Sequence, residues 1–184
     1  VEDVEAIEES ARRAAAVIQD LLTLARRGAY ATEAVAINRV VRSLLRGVAL
    51  QKLKTTRPDV AIHCDLGASL PTIESSSGRL NQVLLNLVIN AVEAIPDGGS
   101  VTIITRFESL TRERQGYEVI TPGEYVVLEV RDTGTGISPQ DLQHIFEPFY
   151  TKKKMGRSGS GLGLAVVYGV VRDAGGGLVT TSAP

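Results

Sequence analysis

The sequence contains a single cysteine, no excess of charge of either sign and no long hydrophobic run. Cys64 alone cannot form an intramolecular disulfide and is compatible with the cytosol. The 20 Lys and Arg residues nearly balance the 21 Asp and Glu residues, which provides no basic surface for nucleic acid and no polybasic patch for a membrane. No apolar stretch reaches the roughly 20 residues of a transmembrane helix, and Val1 does not open a signal peptide. We therefore expect a cytoplasmic domain without nucleic acid or direct membrane contact, in a parent protein that could still be tethered.

What is present is enough apolar material for one sizeable core. The 184 residues are 43% hydrophobic, as in soluble globular proteins. Periodicity and turn residues predict helices over 1–27, 38–54, 80–95, 138–144 and 162–174, and strands over 35–37, 60–64, 101–106, 125–131 and 178–182. Strands with helices to one side of them indicate an α+β fold, a two-layer sandwich.

The first predicted helix carries an apolar seam typical of the a and d positions of a coiled coil. Its members are Val4, Ile7, Ala11, Ala14, Ile18, Leu21 and Ala25. No other stretch offers a matching seam, so we expect this helix to pack against another segment or a second chain; folding back onto the following domain is the alternative. The sequence thus divides into this helix (1–27), a linker (28–34) and a domain (35–184). Because the chain opens in mid-helix and its last strand has no visible partner, we expect further sequence beyond both ends.

The helix over 80–95 is apolar almost all the way round, which is typical of a buried helix. Asn86 and Asn90 nevertheless stand four residues apart on one face, and Glu93 continues their stripe. Buried amides need hydrogen-bond partners. The stripe indicates either a polar cavity that holds a ligand or side chains bonded to neighbouring backbone or water, and the stripe by itself does not decide between them.

Two glycine-rich turns lie downstream. Asp132-Thr-Gly-Thr-Gly-Ile follows a predicted strand, so its carboxylate could accept a hydrogen bond from an exocyclic amine such as that of adenine, although a plain turn is the alternative. Gly159-Ser-Gly-Leu-Gly-Leu opens a helix, where free N–H groups favour phosphate. Its spacing is neither that of a Rossmann fold nor that of a P-loop. Between the turns, the aromatic and lysine-rich stretch 145–154 is typical of a hinge anchored in an apolar pocket beside a cationic loop; a solvated loop is the alternative.

Together these motifs resemble the ATP-binding domain of the sensor histidine kinases. The stretches over 86–94, 132–137, 145–153 and 159–171 match its N box, first glycine box, F box and second glycine box, and the resemblance extends over 35–184. The first helix resembles the second helix of the dimerisation and phosphoacceptor hairpin in this family. The similarity is greatest to nitrogen-regulation-type kinases, which are often hybrids with receiver domains.

The resemblance implies a Bergerat-type fold that binds ATP against the sheet. Asp132 would bind the adenine amine, Asn90 would hold Mg²⁺ through its amide oxygen, and Asn86 would lie beside the phosphates. Lys152 or Lys153 would neutralise their charge. The implied nucleotide-binding residues are Asn86, Asn90, Glu93, Asp132, Gly134, Gly136, Ile137, Phe146, Phe149, Lys152, Lys153, Ser160, Gly161, Leu162 and Gly163, of which Asn86, Asn90 and Lys152 would take part in catalysis.

The phosphoacceptor histidine of the family is absent from the sequence. His63 and His144 lack its context and are expected to be structural or surface residues. The third glycine box, expected just after Pro184, is absent too. This chain should therefore bind ATP but should not phosphorylate itself. The resemblance also implies a homodimer formed through the N-terminal helix hairpin, and a response regulator or fused receiver domain as partner.

Two other functions fit parts of the pattern. A clamp ATPase related to DNA gyrase shares the fold, but it has a Glu general base where Asn86 stands, and an amide cannot take up a proton. A non-enzymatic nucleotide-sensing dimerisation module would not need the full set of Asn90, Asp132 and both glycine turns. The sequence therefore favours a kinase that transfers the γ-phosphoryl group of ATP to histidine for relay to an aspartate.

Overall fold

The computed structural model describes residues 31–152 and 160–183, together with the separate helical positions Ile7, Ala11, Ala15 and Ile18. Its helices are α1 (Ile37–Arg46), α2 (Val48–Thr56), α3 (Ser77–Glu93), α4 (Pro139–Leu142) and α5 (Gly163–Asp173). Its strands are β1 (Glu33–Val35), β2 (Val60–Leu66), β3 (Ile73–Ser75), β4 (Gly99–Leu110), β5 (Arg114–Gln115), β6 (Val119–Ile120) and β7 (Gly123–Asp132).

The main sheet has the strand order β2-β4-β7, with β4 parallel to β2 and antiparallel to β7. Side chains alternate between its faces, and Val101, Ile103 and Thr105 of β4 are the buried set. The register pairs Val101 with Asp132, so Asp132 belongs to the face of the sheet that the helices cover. Two further sheets of two strands each pair β1 with β3 and β5 with β6.

Helix α3 is buried on two sides, which explains why it is apolar nearly all the way round. Leu84, Val88 and Val92 pack in one cluster with Val101 and Ile103 of the sheet. A separate cluster joins α3 to α5 through Val83, Val166, Val167 and Val170. The predicted α+β sandwich is therefore confirmed, with α3 as its central helix.

Three predictions differ in detail from the observed structure. The helix predicted over 38–54 is divided at Gly47, whose extended backbone (φ −70°, ψ 147°) ends α1 and begins α2. The predicted strand over 35–37 lies at Glu33–Val35, and its partner β3 was not predicted at all. The long connection predicted after β4 contains the additional β5-β6 hairpin.

The strand predicted over 178–182 is wrong. The backbone carbonyl of Leu178 instead accepts from Tyr117 N at 2.8 Å, and the hydroxyl of Ser182 accepts from Ile137 N at 2.7 Å. These residues therefore cross the β5-β6 hairpin and the first glycine turn without pairing in a sheet. Of the predicted N-terminal helix, the four described positions are helical and exposed; the remainder of that prediction lies outside the described residues.

A buried polar network joins α1 to the sheet. The hydroxyl of Thr105, which is 2% exposed, donates to Asn38 Oδ1 at 2.7 Å. Asn38 Nδ2 donates to the carbonyl of Gly67 at 2.7 Å, and Gly67 N donates to the carbonyl of Thr105 at 2.9 Å. The three groups thus satisfy one another where water has little access.

Replacing Thr105 with Val should lower the free energy of unfolding by about 1–3 kcal/mol, because the isosteric side chain leaves Asn38 Oδ1 without this donor. Urea unfolding with an unchanged m-value is the measurement. Thr102 is the matched control, since it lies on the opposite face of β4 and is only half-buried, so Thr102→Val should stay near wild type. Equal stability of the two variants would contradict the role of the network.

Candidate functional site

The polar stripe of α3 lies beside the start of α5. Asn86 and Asn90 are both half-buried, and Asn86 Nδ2 donates to the carbonyl of Gly163 at 3.1 Å. The sequence left open whether the stripe binds a ligand or bonds to neighbouring groups. The amide nitrogen of Asn86 bonds to neighbouring backbone. Its oxygen Oδ1 is still able to accept from another group. A Cβ at Gly163 would lie 3.5 Å from Asn86 Cγ, an ordinary van der Waals distance.

The first glycine turn packs on the carboxyl end of α3. Asp132 Oδ1 accepts from Gly134 N at 2.8 Å, while the residue is exposed. Thr135 N donates to the carbonyl of Ala94 at 3.0 Å. A Cβ at Gly134 would lie 2.6–2.8 Å from atoms of Ala94, which only glycine avoids. Gly136 has a φ of 72°, in the left-handed region.

Sequence reasoning missed one residue that fixes this turn, Thr133, and one that fixes the end of α3 on which the turn packs, Arg57. Thr133 bonds to the start of β4 through its backbone N–H, which donates to Ser100 O, and through its hydroxyl, which accepts from Ser100 N at 3.0 Å. Arg57 donates to the carbonyls of Val92 (3.1 Å) and Ile95 (2.8 Å) at the end of α3. Helix ends leave such carbonyls without intrahelical partners. Nothing in the local sequence around Arg57 predicts its bonds to the end of α3.

The second glycine turn is bonded to the segment that follows Phe146. Gly161 has a φ of 69°, and its carbonyl accepts from Phe149 N at 2.9 Å. A Cβ at Gly161 would lie 2.6–2.8 Å from the backbone of Phe149, which itself has a φ of 67°. Leu162 is completely buried, and its N–H donates to Ser160 Oγ at 3.3 Å. The turn and the aromatic segment therefore form one unit.

The aromatic residues of that segment have different environments. Phe146 is buried and packs edge-on against Tyr117 at 4.8 Å between ring centroids, with Tyr168 of α5 at 6.3 Å. Phe149 is 62% exposed. The residue of this segment that is anchored in an apolar environment is therefore Phe146, held between the β5-β6 hairpin and α5, whereas Phe149 is positioned by its backbone.

Lys152 pairs with Asp141, a residue that sequence reasoning did not select. Lys152 Nζ donates to Asp141 Oδ2 at 2.6 Å, and Tyr150 OH donates to Oδ1 at 2.6 Å. The Lys152 ammonium, with Ser138 and Tyr150, holds the pKa of the Asp141 carboxyl well below its usual range. Lys153, the other predicted phosphate-binding lysine, lies outside the described residues.

The two glycine turns thus contact α3 at two levels, the second turn near the middle of the helix and the first at its carboxyl end. The second turn contacts Asn86 and the first contacts Ala94, eight residues further along, which is about 12 Å at 1.5 Å per residue. Asn90 stands between them on the same face. Glu93 is half-buried at the end nearer the first turn. This arrangement can hold an elongated ligand with its polar ends at the two turns.

Residues 75–184, more than half of the chain, match the model of the histidine kinase-, DNA gyrase B-, and HSP90-like ATPases. The chain belongs to this ATPase family. Sensor kinase CckA of Brucella abortus (strain 2308) is 36% identical over 175 residues, which cover 95% of this chain and 18% of CckA. The chain spans less than a third of the length of the first curated relatives it matches.

Solved structures agree with this assignment. Full-length ShkA in complex with AMPPNP has a TM-score of 0.67 at 28% identity, covering 97% of this chain and 36% of that one. The mycobacterial sensor histidine kinase MprB has a TM-score of 0.57 at 29% identity, covering 78% and 80%. The predicted ATP-binding domain of the sensor histidine kinase type is confirmed, while the nitrogen-regulation subgroup and the individual nucleotide-binding residues stay predictions. None of the described helices is long and apolar enough to cross a membrane.

Proposed function

We propose that this chain is the catalytic core of a sensor histidine kinase, which binds Mg-ATP and transfers the γ-phosphoryl group to a histidine supplied by another segment. The observation that carries the proposal is the docking of both glycine turns on the α3 face that bears Asn86 and Asn90. Adenine would lie at the first turn and the phosphates at the second. Phosphoryl transfer needs positioning and charge neutralisation more than covalent catalysis. The two Asn side chains and the glycine turns would position the nucleotide, and Lys152 or Lys153 would neutralise the phosphate charge.

Asp132 would recognise the base. Its Oδ1 accepts from Gly134 N, which orients the carboxylate and leaves Oδ2 to accept from the exocyclic amine of adenine. Because Asp132 shares the helix-covered face of the sheet with Val101, a base bound there would lie between the two layers.

Asn90 would hold Mg²⁺ through its amide oxygen. Among the described residues no group of three or more His, Cys, Asp or Glu side chains could hold a metal by itself. Mg²⁺ suits such a sparse site, since it usually keeps several waters and takes one or two protein oxygens together with substrate phosphates. The ion would neutralise phosphate charge when bound.

A kinase fits Asn86 better than a clamp ATPase does. The amide of Asn86 cannot accept a proton from water, and its nitrogen is bonded to the carbonyl of Gly163. Asn86 would therefore position the phosphate end without activating a hydrolytic water, so the γ-phosphoryl group would be retained until a histidine receives it.

The remaining assignments are proposals for the parent protein. Residues 1–27 would form part of a dimerising hairpin, followed by a linker (28–34) and the ATP-binding domain (35–184). Ile7 and Ile18 of the predicted seam are helical and 68% and 57% exposed, which supports a role in assembly. A response regulator or fused receiver domain would accept the phosphoryl group at an aspartate. We place the domain in the cytoplasm.

Replacing Asn90 with Ala should abolish the increase in affinity for an ATP analogue that Mg²⁺ produces, because the proposed protein ligand is lost. Calorimetric titration with and without Mg²⁺ measures this increase. Asn81→Ala is the matched control, since residue 81 lies nine positions away, on the opposite side of α3. An unchanged Mg²⁺ effect in Asn90→Ala would contradict the metal assignment.

The full-length protein decides between kinase and clamp ATPase. Incubated with γ-labelled ATP, a kinase should acquire acid-labile, base-stable label on histidine. Rapid release of inorganic phosphate with no labelled histidine would support the clamp ATPase and overturn the proposal.

A further inference from the structure

Three donors converge on the carboxylate of Asp141. Tyr150 OH donates to Oδ1 at 2.6 Å, whereas Lys152 Nζ (2.6 Å) and Ser138 Oγ (2.5 Å) donate to Oδ2. Asp141 also belongs to α4, where its own N–H donates to Ser138 Oγ at 3.3 Å. The carboxylate is therefore fixed from several directions by neighbouring residues.

The two members of the ion pair differ in exposure. The side chain of Asp141 is 14% exposed, whereas that of Lys152 is 72% exposed. Because the Lys152 head group lies in water, the pair contributes little to stability, and such a head group exchanges partners readily. The Asp141 carboxylate is therefore fixed in position, whereas the Lys152 ammonium can change its partner.

The position of Lys152 along the chain puts it within reach of the proposed phosphate end. Phe149 N donates to the carbonyl of Gly161 in the second glycine turn, and Lys152 follows only three residues later, at most about 10 Å of extended chain. An anion bound at that turn would compete with Asp141 for the same ammonium group.

We propose that Asp141 is a positioning residue that holds Lys152, so that the phosphates of ATP bind Lys152 by displacing this carboxylate. The inference rests on the proposed function, because it takes the competing anion to be the phosphate chain of a nucleotide. Asp141 thereby reduces the affinity for ATP relative to a protein in which Lys152 is unpaired. The base-binding end of the site is not affected.

Replacing Asp141 with Asn separates the ion pair from the other contacts. The amide oxygen can still accept from Tyr150, and the amide nitrogen can donate to Ser138 Oγ. The same nitrogen, however, presents hydrogens to the Lys152 ammonium and so releases it. Asp141→Asn should increase the affinity for an ATP analogue about two- to fivefold, the range that exposed ion pairs are worth, and leave the affinity for adenosine unchanged.

The experiment is a calorimetric titration of wild type, Asp141→Asn, Lys152→Met and the double variant with the ATP analogue and with adenosine. The increase should vanish in the Lys152→Met background, and Tyr150→Phe, which keeps the ion pair, should bind like wild type. No increase in Asp141→Asn, an increase that persists without Lys152, or an equal change for adenosine would each overturn the inference.

Thermal unfolding checks that each variant is folded. If Asp141→Asn is too unstable, Asp141→Ser also removes the negative charge and gives the same comparison. The two proposals fail differently: a wild-type chain that binds no ATP analogue refutes the proposed function and the inference with it. Tight binding by wild type with no difference in Asp141→Asn refutes the inference alone.

Discussion

Replacing Asp132 with Asn should lower the affinity for an ATP analogue about ten- to a hundredfold and leave stability close to wild type. The turn is retained because the amide oxygen can still accept from Gly134 N, as Oδ1 does now. In place of Oδ2, the Asn side chain would present an NH₂ group to the exocyclic amine of adenine. Both groups are donors, so no hydrogen bond could form between them. A hydrogen bond to a charged group contributes about 1.5–3 kcal/mol, which corresponds to the expected loss.

Inosine triphosphate makes this test specific. It carries a carbonyl oxygen where adenine carries the amine, so an Asn at position 132 could donate to it. Calorimetry should therefore show that Asp132→Asn reverses or strongly reduces the preference of wild type for the adenine nucleotide. Asp97→Asn, a change at another exposed acidic residue in a turn, should leave both affinities unchanged. If Asp132→Asn kept the wild-type preference, base recognition would have to lie elsewhere.

Replacing Gly134 with Ala should both destabilise the domain and remove nucleotide binding. The added Cβ would lie 2.6 Å from the carbonyl oxygen of Ala94 and 2.8 Å from its Cβ. Neither neighbour is a flexible side chain, so the turn must move away from the end of α3. Overpacking of this kind costs about 1–3 kcal/mol. Because Asp132 is bonded to Gly134 N, displacement of the turn also displaces the carboxylate that is proposed to bind adenine.

Gly78 provides the control for the same substitution. It lies in the first turn of α3, and the nearest atom to an added Cβ is Ser76 Oγ at 3.9 Å. Ala there should therefore stabilise the domain by about 0.4–1 kcal/mol, chiefly by restricting the unfolded chain. Chemical unfolding and calorimetry of both variants give the comparison. Wild-type stability and affinity in Gly134→Ala would show that the turn does not need its close contact with α3.

Much of the site could be predicted from the sequence because its chemistry is encoded locally. The spacing of Asn86 and Asn90 places them on one face of any helix, and the glycines of 132–137 and 159–164 mark the two turns without reference to the rest of the fold. The main strands also follow from local alternation. The break at Gly47 was not predicted, because the stretches before and after it are each helical by local pattern. Only the extended backbone at Gly47 separates α1 from α2.

What the sequence by itself determined is the family, the α+β class and a set of candidate nucleotide-binding residues. Only the tertiary structure decided which of these residues meet. Asn86 bonds to Gly163 across 77 positions of chain, Arg57 reaches Ile95 across 38, and Lys152 bonds to Asp141 across 11. Contacts of this kind depend on the packing of α3 against the sheet and α5. That packing, rather than local spacing in the sequence, determines which group a long side chain contacts. The strand predicted over 178–182 was wrong because its backbone bonds to the β5-β6 hairpin, an element without a clear local pattern.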